Sequence, residues 1–209
     1  LGEKLADMGY QTGIGSEPDV VAVKVPVFST EKLPQVEVSL GPEMRSTGEV
    51  LGVGKNLENA LYKGFIAAGM TVPTAGSTIL ATISSKDHEE FIKIAKKCVE
   101  LGCNFLATKG TAKALNDNGI KCKVVKKISE GVPNIIDTIR SGVVDLAVDI
   151  PKKANDTHSD GFKIRRTAVE SDVTLITAMD TFAAMVEVMS KKLEPDDFNI
   201  FDINRDMRK

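Results

Sequence analysis

Four consecutive residues, Thr108-Lys109-Gly110-Thr111, put two hydroxyls, a cation and a glycine between an apolar run and a helix-forming pattern. The run before them is Phe105-Leu106-Ala107 and the pattern after them is Ala112-Lys113-Ala114-Leu115. At a junction where a strand becomes a helix, such a set suits an anion. A helix N-terminus offers unpaired N–H groups and the positive end of the helix dipole. Gly110 lets the backbone come close to a ligand, and Thr108 and Thr111 donate from short side chains. Related residues follow the other apolar runs: Thr82, Ser84, Ser85 and Lys86 after the first, Lys126 and Lys127 after the third, Asp149 with Lys152 and Lys153 after the fourth. Gathered on one rim, they make a phosphate cradle. A plainer reading stands beside this one, in which Thr111 only caps its helix and the lysines are solvated. The stretch is neither a Walker loop nor a GxGxxG turn.

Other reactive patterns are sparse. Asp149 closes a strand, where it either contacts a ribose or caps a turn. Asp137 falls inside a helix and reads as solvated. "NDTHSDG" (155–161) reads as a turn-rich loop. Lys163, Arg165 and Arg166 read as a solvated helix face with some reach toward an anion. No Ser-His-Asp or Cys-His set can be assembled. The two histidines and three cysteines show no metal-ligand spacing, so no metal is expected. Cys98, Cys103 and Cys122 are expected as reduced thiols in a cytoplasmic setting.

These residues need elements to carry them. From residue 71 to 193 short apolar runs alternate with amphipathic helices five times. "TILATIS", "NFLAT", "KCKVV", "VDLAVDI" and "VTLITA" read as strands. The helices fall over 87–102, 111–119, 132–142, 160–172 and 180–193, the last capped by Asp180. Such alternation predicts an α/β fold with a parallel, doubly wound sheet. Ligands then sit beyond the carboxyl ends of the strands, near a switch point. Residues 1–70 differ: a short helix, a strand at "VVAVKVPVF", a glycine-dense run, and a helix "NLENALYKGFIAAG" with Asn56 as cap and Gly69 as stop. Residues 194–209 lack a clear period and read as a peripheral extension. The chain is 42% hydrophobic with a net charge of −2, which offers no basic field for nucleic acid. No apolar run approaches the ~20 residues that span a bilayer, and no signal-peptide pattern is present.

The run Gly41-Pro42-Glu43-Met44-Arg45-Ser46-Thr47-Gly48-Glu49-Val50 and the stretch "FLATKGTAKALNDNGIKCKVVKKISEGVPNIIDTIRSG" resemble the carbamoyl-phosphate synthetase large subunit. The resemblance implies that 1–70 is the tail of the ATP-grasp unit that phosphorylates carbamate. It makes 71–193 a methylglyoxal-synthase-like allosteric domain, with a five-stranded parallel sheet ordered 3-2-1-4-5. It further implies a parent enzyme making carbamoyl phosphate from bicarbonate, glutamine-derived ammonia and two ATP, with Mg or Mn and K as cofactors. A small glutaminase subunit would be its partner, self-association is allowed for, and the product would serve pyrimidine or arginine synthesis. The ATP and metal ligands would lie upstream of Leu1, leaving this stretch catalytically silent. Glu43, Met44, Arg45 and Ser46 would support the carbamate end of the active site.

By the same resemblance the regulatory pocket takes a nucleotide effector of the UMP or IMP type, or phosphoribosyl pyrophosphate. Thr108, Thr111 and Lys127 match residues that hold its phosphate. A further phosphate lysine falls on His88, with Lys86 two residues earlier as its substitute. Thr82 and Asp149 fall at the nucleoside end, Asp149 replacing an asparagine and Pro151 a threonine. Thr177 matches an ornithine contact in some members, but Val25 stands where the partner glutamate would be, so no ornithine activation is expected. The alternative is a methylglyoxal-synthase-type, phosphate-eliminating lyase. It needs a carboxylate where this chain has Val132 and Pro133.

Overall fold

The computed structural model describes residues 2–10, 12–14, 17–29, 38, 46–150, 159–193 and 197–202. Glu43, Met44, Arg45, Pro151, Lys152 and Lys153 lie outside the described residues. Near the start, the expected short helix is a single exposed 3-10 turn, Leu5–Met8. Two strands, β1 (Val21–Val27) and β2 (Gly48–Gly54), then pair antiparallel with Val21 opposite Gly54 and Val27 opposite Gly48. Helix α1 (Leu57–Ala67) lies across this ribbon, capped by Asn56, whose Oδ1 accepts from the Asn59 amide at 2.9 Å.

Strand β2 was not evident in the sequence, because "GEVLGVG" is poor in strand formers. Its glycines serve packing instead. A Cβ on Gly52 would stand 2.0 Å from the Ala60 carbonyl oxygen, and one on Gly54 2.7 Å from the Ala60 nitrogen. The helix therefore rests directly on strand backbone.

The second unit is a five-stranded parallel sheet. Its strands are β3 (Thr78–Thr82), β4 (Asn104–Thr108), β5 (Cys122–Val125), β6 (Leu146–Asp149) and β7 (Thr174–Ile176). They lie in the order β5-β4-β3-β6-β7, which is the expected 3-2-1-4-5. Five helices connect or follow them: α2 (His88–Glu100), α3 (Lys109–Asp117), α4 (Ile135–Arg140), α5 (Asp160–Glu170) and α6 (Met179–Ser190).

Residues alternate along the strands between two cores. Ile79, Ala81, Phe105, Ala107 and Val148 face α2, α3 and α6, where Phe91, Leu115, Phe182 and Met185 are buried. Leu80 and Ala147 face α4 and α5, where Ile135, Ile139, Ile164 and Ala168 are buried. Both faces are thus covered, as a parallel sheet requires.

Several local expectations change. Asp180 sits inside the first turn of α6, and Ala178 holds the cap position without a side-chain bond. Arg165 and Arg166 do not form a solvated face. Both are buried, because α5 is packed between α4 and the sheet and residues 164–168 are enclosed on every side. Arg166 pairs with Glu170 one turn on at 2.8 Å. Asp137 accepts from the Asn134 amide at 2.8 Å, completing a capping box.

The end of the chain also does more than trail. Residues 197–202 cross back over α1. Asn59 Nδ2 donates to the Asp197 carbonyl at 3.1 Å and Lys63 Nζ to the Asn199 carbonyl at 2.6 Å. Tyr62 stacks on Phe198 with centroids 4.9 Å apart, and Lys63 Nζ lies 4.8 Å from the Phe201 ring centre. Lys191, just after α6, pairs with Glu58 at 3.1 Å.

All three cysteines are free and buried. Burial pushes the Cys98 thiol up to about 12 and the Cys122 thiol up to about 11. Cys103 is also raised, by burial first and then by Asp145. Thiolate is the reactive form. The native protein is therefore expected to react negligibly with Ellman's reagent at pH 8 and to release three equivalents once unfolded in guanidinium. Rapid labelling of the native protein would contradict this burial.

Candidate functional site

The sheet reverses its winding between β3 and β6, and the crevice at such a point is where ligands bind in open α/β sheets. A cleft of about 600 Å³ lies there, at the carboxyl ends of β3, β4 and β6. A volume of this size suits a small-molecule ligand. Three sides of the cleft matter for chemistry.

The first is the start of α3. Thr108 occupies its cap position, yet its side chain makes no capping bond. The first N–H groups of a helix have no partner within it. The turn of Lys109, Gly110 and Thr111 therefore presents donors and the dipole's positive end to the cleft. Gly110 has open space where a Cβ would stand, so the approach to that backbone is unobstructed. Lys127, just after β5, adds an exposed ammonium to the lining.

The second is the turn after β3. Thr111 is 2% exposed, and its hydroxyl both accepts from the Ile83 amide at 3.1 Å and donates to the Ile83 carbonyl at 3.2 Å. That hydroxyl already gives its one proton to the protein, so Thr111 braces the turn and offers its backbone N–H outward. His88 Nε2 lies 3.1 Å from the same carbonyl, which places a proton on that nitrogen. Ser84 and Ser85 complete this side.

The third side is acidic. Asp149 ends β6 directly opposite Thr82 in the parallel register. The Thr82 hydroxyl donates to Asp149 Oδ1, and Arg165 Nη1 donates to Asp149 Oδ2 at 2.6 Å. The ion pair is almost wholly buried, with side-chain exposures of 8% for Asp149 and 2% for Arg165. Ser159 caps α5 by accepting from the Phe162 amide at 3.1 Å, and Asp160 and Gly161 line the cleft behind it.

Thr82, Thr108, Gly110, Thr111, Lys127 and Asp149 thus come together in one lining. Lys109 and Lys86 do not line it; Lys86 is exposed and reaches Asp87 at 4.0 Å. His88 stands in the lining where Lys86 was expected to substitute for it. Ser46 is half-buried beside β2, far along the chain from this cleft. Val132 and Pro133 are exposed and contribute nothing to the lining.

Arg165 is the residue the sequence reading missed. An arginine in a polar helix suggests solvent, and a buried one is betrayed only by a partner that is distant in sequence. Two signals were available: Asp149 at a strand end, and Gly161 one turn before Arg165, where bulk would crowd the guanidinium.

A second cleft of about 610 Å³ lies between β1 and the region of β7 and α6. Thr177 and Val25 both line it, together with Asp172 and Asp180. Among the described residues no group of His, Cys, Asp and Glu is arranged to hold a metal ion. No helix among them is long and apolar enough to cross a membrane.

Comparison with known proteins agrees with the five-stranded parallel sheet. Residues 90–177 match the MGS-like domain family. The chain is 54% identical over 204 residues to the carbamoyl phosphate synthase large chain of Clostridium botulinum (strain Loch Maree / Type A3). It is 54% identical over 203 residues to that of Clostridium perfringens (strain 13 / Type A) and 50% identical over 204 residues to that of Clostridium beijerinckii. These matches cover 97–98% of the chain and 19% of each relative.

Proposed function

Because the chain belongs to the carbamoyl phosphate synthase large-chain family, along a stretch that spans about a fifth of its relatives, we propose that its five-stranded unit is the effector-binding module of such an enzyme. The ligand is a nucleoside monophosphate of the UMP or IMP type, or phosphoribosyl pyrophosphate. Its phosphate sits against the first turn of α3, received by the N–H groups of Lys109, Gly110 and Thr111, the Thr108 hydroxyl and Lys127. Its sugar and base extend toward Thr82 and Asp149. One observation carries this reading: an uncapped helix start and a lysine share one side of a cleft at the sheet's switch point.

On this reading the whole protein makes carbamoyl phosphate from bicarbonate, glutamine-derived ammonia and two ATP. It works with a glutaminase subunit and metal-bound nucleotide, and supplies pyrimidine or arginine synthesis. Binding at the sheet alters that chemistry at a distance, through two states with unequal effector affinity. Helix α1 is placed to relay the change, since it packs on the β1–β2 ribbon and on α6.

A phosphate-eliminating lyase is less well supported. By the resemblance its base would stand where this chain has Val132 and Pro133, which carry no titratable group and lie outside the lining; Asp149 has both oxygens engaged by Thr82 and Arg165. An assay with dihydroxyacetone phosphate is expected to show no turnover.

Thermal unfolding with UMP, IMP, phosphoribosyl pyrophosphate and inorganic phosphate tests the effector reading. A ligand at 100 times its Kd adds about 2.7 kcal/mol. Lys127→Ala removes a charge-assisted bond and is expected to weaken binding by about ten- to hundredfold, with the unliganded melting temperature unchanged. If none of these compounds shifts the wild-type transition at millimolar concentration, the reading fails. Ornithine is expected to give no shift, since Val25 supplies no carboxylate; a shift would mean that Asp172 or Asp180 takes that part.

A further inference from the structure

We propose that Arg165 is a positioning residue, holding Asp149 as a fixed, ionised acceptor that selects ligands by their ribose hydroxyls. This rests on the effector reading above and adds to it the group that chooses the ligand's sugar. Asp149 lines the cleft, and each of its oxygens is held from a different element. Thr82 on β3 grips Oδ1, and Arg165 on α5 grips Oδ2 at 2.6 Å. A carboxylate with 8% exposure needs a counter-charge to stay ionised. Arginine supplies one with a rigid, planar donor set, which fixes direction as well as charge.

The surrounding backbone is shaped for this pair. A Cβ on Gly161 would stand 2.9 Å from Arg165 Nη1 and 3.4 Å from Asp149 Oδ2. Only glycine lets the first turn of α5 close over the guanidinium without displacing it. Buried ion pairs of this kind are poor stabilisers, and an apolar replacement is often as stable. Stability alone is therefore a weak reason for an ion pair here. Its position is informative: it borders the cleft on the side away from Lys127 and the α3 N-terminus.

The cleft is thereby polarised. One end favours a phosphate, and the other presents a carboxylate, which accepts hydrogen bonds and cannot donate them. A phosphate anchored at α3 brings the donor groups of the same molecule toward Asp149. Vicinal sugar hydroxyls are such donors, and an acidic side chain at a strand end is a known partner for a ribose 2′-hydroxyl in doubly wound sheets. The site so described takes phosphorylated ribosides in preference to their deoxy counterparts.

Calorimetric titration of the protein with UMP, 2′-deoxy-UMP and inorganic phosphate tests this. The wild type is expected to bind UMP at least tenfold more tightly than 2′-deoxy-UMP. Arg165→Met should bring that ratio close to one while leaving the affinity for inorganic phosphate within about twofold, and Arg165→Lys should restore part of the ratio. Loss of a merely structural residue would weaken all three ligands together. Should Arg165→Met fail to fold, Gly161→Ala makes the same point by pushing the guanidinium away from Asp149, and it too should lower the ratio. Equal wild-type affinity for the ribo and deoxy forms overturns the inference but not the effector reading. A ratio unchanged in both variants also overturns it. Wild-type protein that binds none of the three, and neither IMP nor phosphoribosyl pyrophosphate, removes both readings.

Discussion

Phe91→Ala is expected to lower the unfolding free energy by about 3–5 kcal/mol, a large share of the roughly 5–15 kcal/mol that holds a domain together. The ring is 1% exposed. It stacks on Phe182 of α6 with centroids 5.8 Å apart and meets Phe105 of β4 edge-on at 6.1 Å. Truncation would open a cavity among three elements that are each fixed elsewhere, so collapse to fill it would be incomplete. Two aromatic contacts would also go, each worth about 0.5–1.5 kcal/mol beyond area. Urea titration followed by far-ultraviolet circular dichroism should show a lower midpoint at unchanged slope. A loss below about 1.5 kcal/mol, the scale of well-tolerated core swaps, would mean the ring is not a keystone of this core. The effect bears on the cleft as well. Phe91 stands one turn after His88 in α2, just past the turn that carries Ser84 and Ser85, and loosening α2 frees one side of the lining.

Gly52→Val should produce the other large effect. Overpacking usually costs about 1–3 kcal/mol, and relief usually comes from a side chain that can swing away. Here the obstacles are backbone: the Ala60 carbonyl oxygen at 2.0 Å and the Gly64 nitrogen at 2.7 Å from the added Cβ. Helix α1 must shift bodily. That helix is also held by α6, by the Lys191–Glu58 pair and by residues 197–202. A cost at or above about 3 kcal/mol is expected, localised to the ribbon and α1. Hydrogen exchange should show amides of β1, β2 and α1 losing protection while those of β3, β4 and β6 keep theirs. Uniform protection across both units would refute the predicted clash.

The contrast between these two residues shows what a sequence reveals. Phe91 belongs to a helix whose apolar positions recur at helical spacing, and that spacing identified α2 within two residues at each end. The stretch "NFLAT" is β4 over its full length. Alternation of runs and helices was enough to specify a parallel, two-faced sheet, but its order came from the resemblance, because several right-handed arrangements satisfy the same pattern. Gly52 gave no such sign. Glycine is a poor strand former, and only the helix lying against it explains its presence.

The cleft divides along the same line. Thr108, Gly110, Thr111 and Lys127 were legible because strand ends and helix starts are local features. The role of the Thr111 hydroxyl was not, since its partner is the backbone of Ile83, twenty-eight residues earlier. Arg165 escaped for the same reason: its partner stands sixteen residues before it and on another element.

The return of residues 197–202 over α1 has a practical bearing on protein engineering. A designer wishing to move the five-stranded sheet onto another protein would be drawn to cut the gene at residues 71 and 193, where the repeating pattern begins and ends. That excision would discard both α1, with Asn59, Tyr62 and Lys63, and the Asp197, Phe198 and Asn199 that return over it. It would also bare the flank of α6 that rests on α1. The natural cassette for transplantation runs from Val21 to Asp202, so that ribbon, sheet and returning segment travel as one part.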